Sequence, residues 1–248
     1  MLRHSQTDTP NPDVEDWTDR YRDEANAQFF ADAIADLGGD ARGLIGLVGS
    51  SDLPGVALRR AQSILRWDRR PSLWSHAFLV TGDDGELREV TLHSRAGAFP
   101  EPADNAITIA NLSHYARDPN VALLAVSMEG DERRSVVERA TTQPNLERLR
   151  FDLFETLGFW QAYLWTRGTP NPLEQGVPMH SSALIEYCFE AIRLDLTPGA
   201  NDRSSAPEHL WNGARWWNDA LGEFGRRIRG RYVTRDLHCA VLGPGEQS

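Results

Sequence analysis

Apolar residues at Trp17, Tyr21, Ala25, Phe29, Ala33 and Leu37 recur at every fourth position until Gly38-Gly39 interrupts them. That period predicts a helix with one buried stripe, stopped by the glycine pair. The compact run Leu44-Ile45-Gly46-Leu47-Val48 reads as a buried strand. Gly49-Ser50-Ser51-Asp52-Leu53-Pro54 then opens a helix through Val56, Arg60, Ser63 and Ile64, with Ser51 or Asp52 as its cap. After a charged loop from Arg66 to Pro71, the segment Trp74 to Val80 predicts a second strand. The Gly82-Asp83-Asp84-Gly85 turn sends the chain back along a return strand from Leu87 to His93. Runs from Ala106 to Ala110 and from Val121 to Met128 extend the sheet.

Beyond Gly130 the period becomes helical. Arg133 to Thr141 and Leu146 to Trp165 are expected helices, the second carrying the aromatic residues Phe159, Trp160, Tyr163 and Trp165 for core packing. Thr169-Pro170-Asn171-Pro172 is a loop. Ser181 to Leu194 is the next helix, with Leu184, Ile185, Cys188, Phe189 and Ile192 on its buried face. A surface loop over Ala200 to Pro207 precedes an amphipathic segment bearing Trp211, Trp216 and Trp217, read as core rather than groove lining. Strands first and helices after make the expected class α+β, an antiparallel sheet packed against helices. Residues 1–14 read as a loose polar tail and 15–248 as a single domain, without internal repeats.

Composition narrows the chemistry. A formal charge of −10 disfavours nucleic acid, whose binding needs clustered positive charge. All 26 basic residues are Arg, so lysine-based Schiff-base, P-loop and general-base chemistry is excluded. Two cysteines, Cys188 and Cys239, suggest neither a disulfide framework nor a cysteine metal site. No apolar run reaches membrane-spanning length and the N-terminus has no apolar signal core, so a cytoplasmic location without a membrane span is expected; export by a specialised route stays open.

Two distant segments concentrate the reactive groups. His76 begins a predicted strand, and the hydroxyl of Ser181 stands at the start of a predicted helix. The first turn of a helix offers unpaired backbone N–H groups, which favour an anionic nucleophile and can also bind the oxyanion of a tetrahedral intermediate. A serine there is also a good helix cap whatever its chemistry. His180 is a poor base for Ser181, because adjacent helical residues do not face each other. Cys188, seven residues further, lies about two helical turns away.

The order Gly43-Leu44-Ile45-Gly46-Leu47-Val48-Gly49-Ser50-Ser51, a short helix, then Trp74-Ser75-His76-Ala77-Phe78-Leu79-Val80 resembles the opening of the circularly permuted papain-like hydrolases, the YiiX/BtrH-like family of the NlpC-type superfamily. The nucleophile segment of that family runs roughly C-S-x-L-V, and Ser181-Ser182-Ala183-Leu184-Ile185 matches all but its first position. Asp195-Leu196-Thr197-Pro198 and Pro207-Glu208-His209-Leu210 are similar to segments further downstream, so the likeness covers about residues 40 to 215. It implies a permuted papain-like fold, His76 as general base and Ser181 in the nucleophile position.

The resemblance also implies a third polar group, on the strand paired with that of His76, which orients the imidazole. Glu89, Thr91 and His93 share one face of the return strand; His93 is the choice and Glu89 the alternative. The implied activity is that of a thiol protease, peptidase or amidase scaffold: hydrolysis or acyl transfer at an amide, ester or thioester carbonyl through an acyl-enzyme. The implied partner is a peptide, acyl or amide-containing substrate, with no metal or organic cofactor. Serine in place of cysteine departs from the pattern, since a hydroxyl needs stronger base assistance than a thiol. It stands for an inactivating replacement, a natural serine variant, or an inactive relative that binds its former substrate, as a secreted effector could.

Overall fold

The structure, a computed structural model, describes residues 14–16, 26–90, 107–142, 181–198, 205–221 and 227–237. Its strands are β1 (Val14–Asp16), β2 (Ile45–Gly49), β3 (His76–Val80), β4 (Glu86–Val90), β5 (Ile107–Asn111), β6 (Asn120–Val126) and β7 (Ile228–Thr234). Its helices are α1 (Asn26–Asp36), α2 (Leu53–Ala61), α3 (Gly130–Thr142), α4 (Ser181–Phe189) and α5 (Pro207–Leu221). The strands form one sheet in the order β1-β7-β6-β2-β3-β4-β5. All neighbours are antiparallel except β1 and β7. The α+β class expected from the pattern is observed. His93, His180, Cys239, the aromatic segment 146–165 and the first part of the helix expected from Trp17 lie outside the described residues.

Alternation along each strand divides the core between the two faces of the sheet. Ala77 and Leu79 of β3, with Leu47, Ala122 and Leu124, pack with Leu184, Ile185, Cys188 and Phe189 of α4 and with Trp211 of α5. Phe78 and Val80, with Val48, Val121 and Leu123, pack with Phe29, Phe30 and Ala33 of α1. Trp211 is core, as expected, lying edge-on to Trp74 at 4.9 Å and to Tyr232 at 5.1 Å. No helix among the described residues is long and apolar enough to cross a membrane.

Local chemistry sets the element ends that matter for the site. Of the two candidate caps for α2 it is Asp52 that acts, its Oδ1 accepting from the Gly55 N–H at 2.7 Å, with Pro54 in the first turn. The end of β2 is fixed to the entry of β3 by Ser75, whose backbone N–H and hydroxyl both donate to the Val48 carbonyl while its Oγ accepts from the Ser50 N–H. The fully buried Asn26 at the start of α1 donates through Nδ2 to the carbonyls of Tyr115 and Asp118. Those two residues follow β5, in and just after a 3₁₀ turn (Leu112–Tyr115) that Asn111 caps.

Gly46 of β2 lies opposite Phe78 of β3. A Cβ built at Gly46 would come within 2.0 Å of the Phe78 ring, so glycine is what lets that ring lie across β2. The ring then stacks on Tyr115, centroids 5.0 Å apart and planes within 4° of parallel. Gly46→Ala should destabilise the protein by about 1–3 kcal/mol through overpacking, read as a lowered urea midpoint at unchanged slope. A neutral substitution would show that the Phe78 ring is not held against β2.

Candidate active site

Strand pairing creates the place where the candidate residues meet. The β3–β4 ladder joins Leu79 to Arg88 and Val80 to Leu87, and continues at the turn with the Thr81 N–H donating to the Glu86 carbonyl. Along β4 the backbone groups point alternately to β3 and to β5. The bond from the Leu112 N–H to the Gly85 carbonyl, on the β5 side, assigns Val90 to the β3 side, opposite Ala77. The backbone of Val90 does not close the ladder. Its N–H donates to Ser181 Oγ at 3.2 Å, and its carbonyl accepts from the same hydroxyl at 2.9 Å. The first side chain of α4 thus occupies the opening at the end of the β3–β4 pair.

His76, at the start of β3, faces the same hydroxyl. Its Nδ1 lies 3.3 Å from Ser181 Oγ and its Nε2 2.8 Å from Glu89 Oε2. Glu89 is fully buried, and the Tyr115 hydroxyl donates to the same Oε2. Burial pushes the Glu89 carboxyl up, but the bonds from His76 and Tyr115 and the His76 charge outweigh it and hold the group below its ordinary value. An ionised carboxylate only accepts, so the shared hydrogen is on Nε2 and the Nδ1 lone pair of the neutral ring faces Ser181. Burial and the Glu89 charge hold the Tyr115 phenol protonated, its pKa well above the ordinary value.

The two ends of the predicted constellation, His76 and Ser181, therefore come together from positions 105 residues apart. The orienting place behind the imidazole is filled by Glu89, the alternative to His93. Parity along the strand identified the face, which Glu89 shares with the Phe78 side of the sheet. It could not say which residue of that face stands behind the imidazole, because that depends on register. Tyr115 was not singled out from the sequence, and its only signal there is an aromatic shortly after an apolar run. Cys188 is fully buried, which pushes its thiol up to about 12 and makes it an inert core residue.

Asp118 adds charge at the edge of the site. Burial first, and then the Asp52 charge, raise its carboxyl to about 6, against the opposing effects of His76, His114 and a bond to Ser50. Among the described residues, no three His, Cys, Asp or Glu side chains gather where they could hold a metal ion. A cavity of about 240 Å³ lined by Arg42, Arg133 and Arg229 opens at the Gly43 end of β2, the end away from His76, and shares no residue with the site. No protein-family model matches the chain, and a search of curated proteins finds no match.

The two carboxyls have opposite linkage to pH. Glu89, held low when folded, contributes stability that is present above the ordinary value near 4.5 and is lost as the pH falls below it. Asp118, held high, costs stability that grows as the pH rises from 3.8 to about 6 and is complete above that. Asp118→Asn should therefore raise the urea midpoint at pH 8 and lose most of that gain by pH 4. An equal gain at both pH values would mean that Asp118 is not held protonated by the fold.

Proposed function

We propose that this chain is a hydrolase or acyltransferase of the permuted papain-like type, acting on an amide, ester or thioester carbonyl through an acyl-enzyme. The observation that carries this reading is the meeting of a hydroxyl at a helix start, an imidazole at a strand start and a buried carboxylate behind it, contributed by α4, β3 and β4. A nucleophile, a base and an orienting group in hydrogen-bond series form the arrangement that acyl transfer requires.

The steps follow from the atoms. The Ser181 hydroxyl turns its hydrogen from the Val90 carbonyl to His76 Nδ1, and Oγ adds to the substrate carbonyl carbon. The imidazolium keeps its Nε2–H on Glu89, which stabilises the new charge. The N-terminal end of α4, the positive end of the helix dipole, is suited to the oxyanion. Collapse expels the amine, alcohol or thiol, which takes the proton from Nδ1. Water activated by the same nitrogen, or a second acceptor, then releases the acyl group and restores the hydroxyl. The substrate class is a peptide, acyl or amide-containing compound.

One observation favours a second reading, an inactive papain-like binding protein. The hydroxyl is closer to the Val90 carbonyl, at 2.9 Å, than to Nδ1, at 3.3 Å, and Ser181 as a residue is 4% exposed. In that resting position the proton is held by backbone rather than by the base. Releasing it costs roughly the 1 kcal/mol of an ordinary hydrogen bond.

Ser181→Cys separates the two readings. A thiol is a weaker donor to Val90 and a far better nucleophile beside an imidazole. We expect the cysteine variant to be labelled by a thiol-directed electrophile and to turn over a thioester panel, and His76→Ala in that background to reduce the rate by about 10²–10⁴-fold. A folded cysteine variant that is labelled no faster with His76 than without it would rule out the enzyme reading and leave the binding protein.

A further inference from the structure

We propose that Tyr115 is a positioning residue of this site, which acts through Glu89 to set the pH at which His76 takes up a proton. The inference rests on reading His76 as the base. Tyr115 OH and His76 Nε2 converge on one carboxylate oxygen, Oε2 of Glu89. Each donor draws on the electron density that the other uses. The phenol therefore fixes the carboxylate in place and at the same time weakens its hold on the imidazolium.

The surroundings of Tyr115 suit such a role. Its ring stacks on Phe78, which follows His76 by two residues on the same face of β3, and its centroid lies 6.0 Å from that of His76. Its backbone carbonyl is held by the buried Asn26 at 2.7 Å, and its turn is capped by Asn111. The hydroxyl is thus aimed at Glu89 from a mount that does not depend on Glu89. A tyrosine needed only for packing would leave His76 indifferent to the loss of its oxygen.

Among the described residues, the Ser181 hydroxyl from α4 also faces His76, and Asp118, ahead of β6, interacts with its charge; His114, from the same 3₁₀ turn, acts on Glu89 and Asp118, and Asp52, at the start of α2, acts on Asp118. All of them are unchanged by Tyr115→Phe, so they cancel in a comparison of that variant with the parent chain.

The test is an NMR titration of the His76 ring in the full chain and in Tyr115→Phe, which keeps the ring on Phe78. With the phenol gone, Glu89 grips the imidazolium harder and the His76 midpoint should rise by about half a unit to one unit. In a Glu89→Gln background the same change should have no effect on His76. An unchanged or lowered midpoint in Tyr115→Phe, or an equal rise in the Glu89→Gln background, overturns the proposal.

If Tyr115→Phe does not fold, the Tyr115 ring resonances of the parent chain give the answer. They should shift with the midpoint of His76, and a flat response overturns the proposal. No substrate enters these titrations. A shifted midpoint beside an inert Ser181→Cys variant would sink the hydrolase reading alone, and an unshifted midpoint beside an active one would sink the role of Tyr115 alone.

Discussion

Everything at the site depends on one interruption in a β-ladder. Where Val90 would bond to Ala77, the sheet instead receives the hydroxyl of Ser181, which satisfies both the N–H and the carbonyl of Val90. Buried backbone groups must find partners, so this side chain ties the N-terminus of α4 to the end of β4. The apolar face of α4, with Leu184, Ile185, Cys188 and Phe189, carries the helix into the core behind that contact. The same hydroxyl that closes the ladder is therefore the one presented to His76. Any chemistry at Oγ competes with a structural hydrogen bond, and that competition is what separates an active site from a binding site built on the same frame.

Behind the imidazole, a buried carboxylate is tolerated because it accepts two hydrogen bonds. Glu89 receives His76 and Tyr115 on one oxygen, and its ionised form is favoured although burial opposes it. The chain of support runs outward from there: Tyr115 onto Phe78, Phe78 across Gly46, and the Tyr115 backbone onto Asn26 of α1. Residues from three strands, the 3₁₀ turn and α1 thus bear on the orientation of one ring. The two histidines near the site differ in placement, since His76 has a polar oxygen facing each ring nitrogen while His114 acts on Glu89 through its charge.

Much of the frame was legible in the sequence because its signals are local. The Asp52-Leu53-Pro54 helix start, the Gly-Asp-Asp-Gly turn and the apolar runs of β2, β3 and β6 carry their own chemistry, and each appears within a few residues of its expected bounds. Strand β7 was not anticipated. Its Ile-Arg-Gly-Arg-Tyr-Val-Thr alternation puts a glycine at a buried position between two arginines, which hides the period. The choice between Glu89 and His93 depended on the register of two strands, a long-range property that parity along one strand cannot supply. Tyr115 escaped for the same reason: it reaches Glu89 across 26 residues, through a turn whose position is set by α1.

The central claim is that His76 stands between Ser181 and Glu89 with its Nδ1 lone pair toward the hydroxyl. Long-range ¹H–¹⁵N correlation of the His76 ring above neutral pH measures this directly, since it identifies which nitrogen carries the hydrogen. The account predicts a protonated Nε2, with its hydrogen shifted downfield by Glu89, and an unprotonated Nδ1. A ring protonated on Nδ1, or one exchanging freely between the two forms, would contradict it.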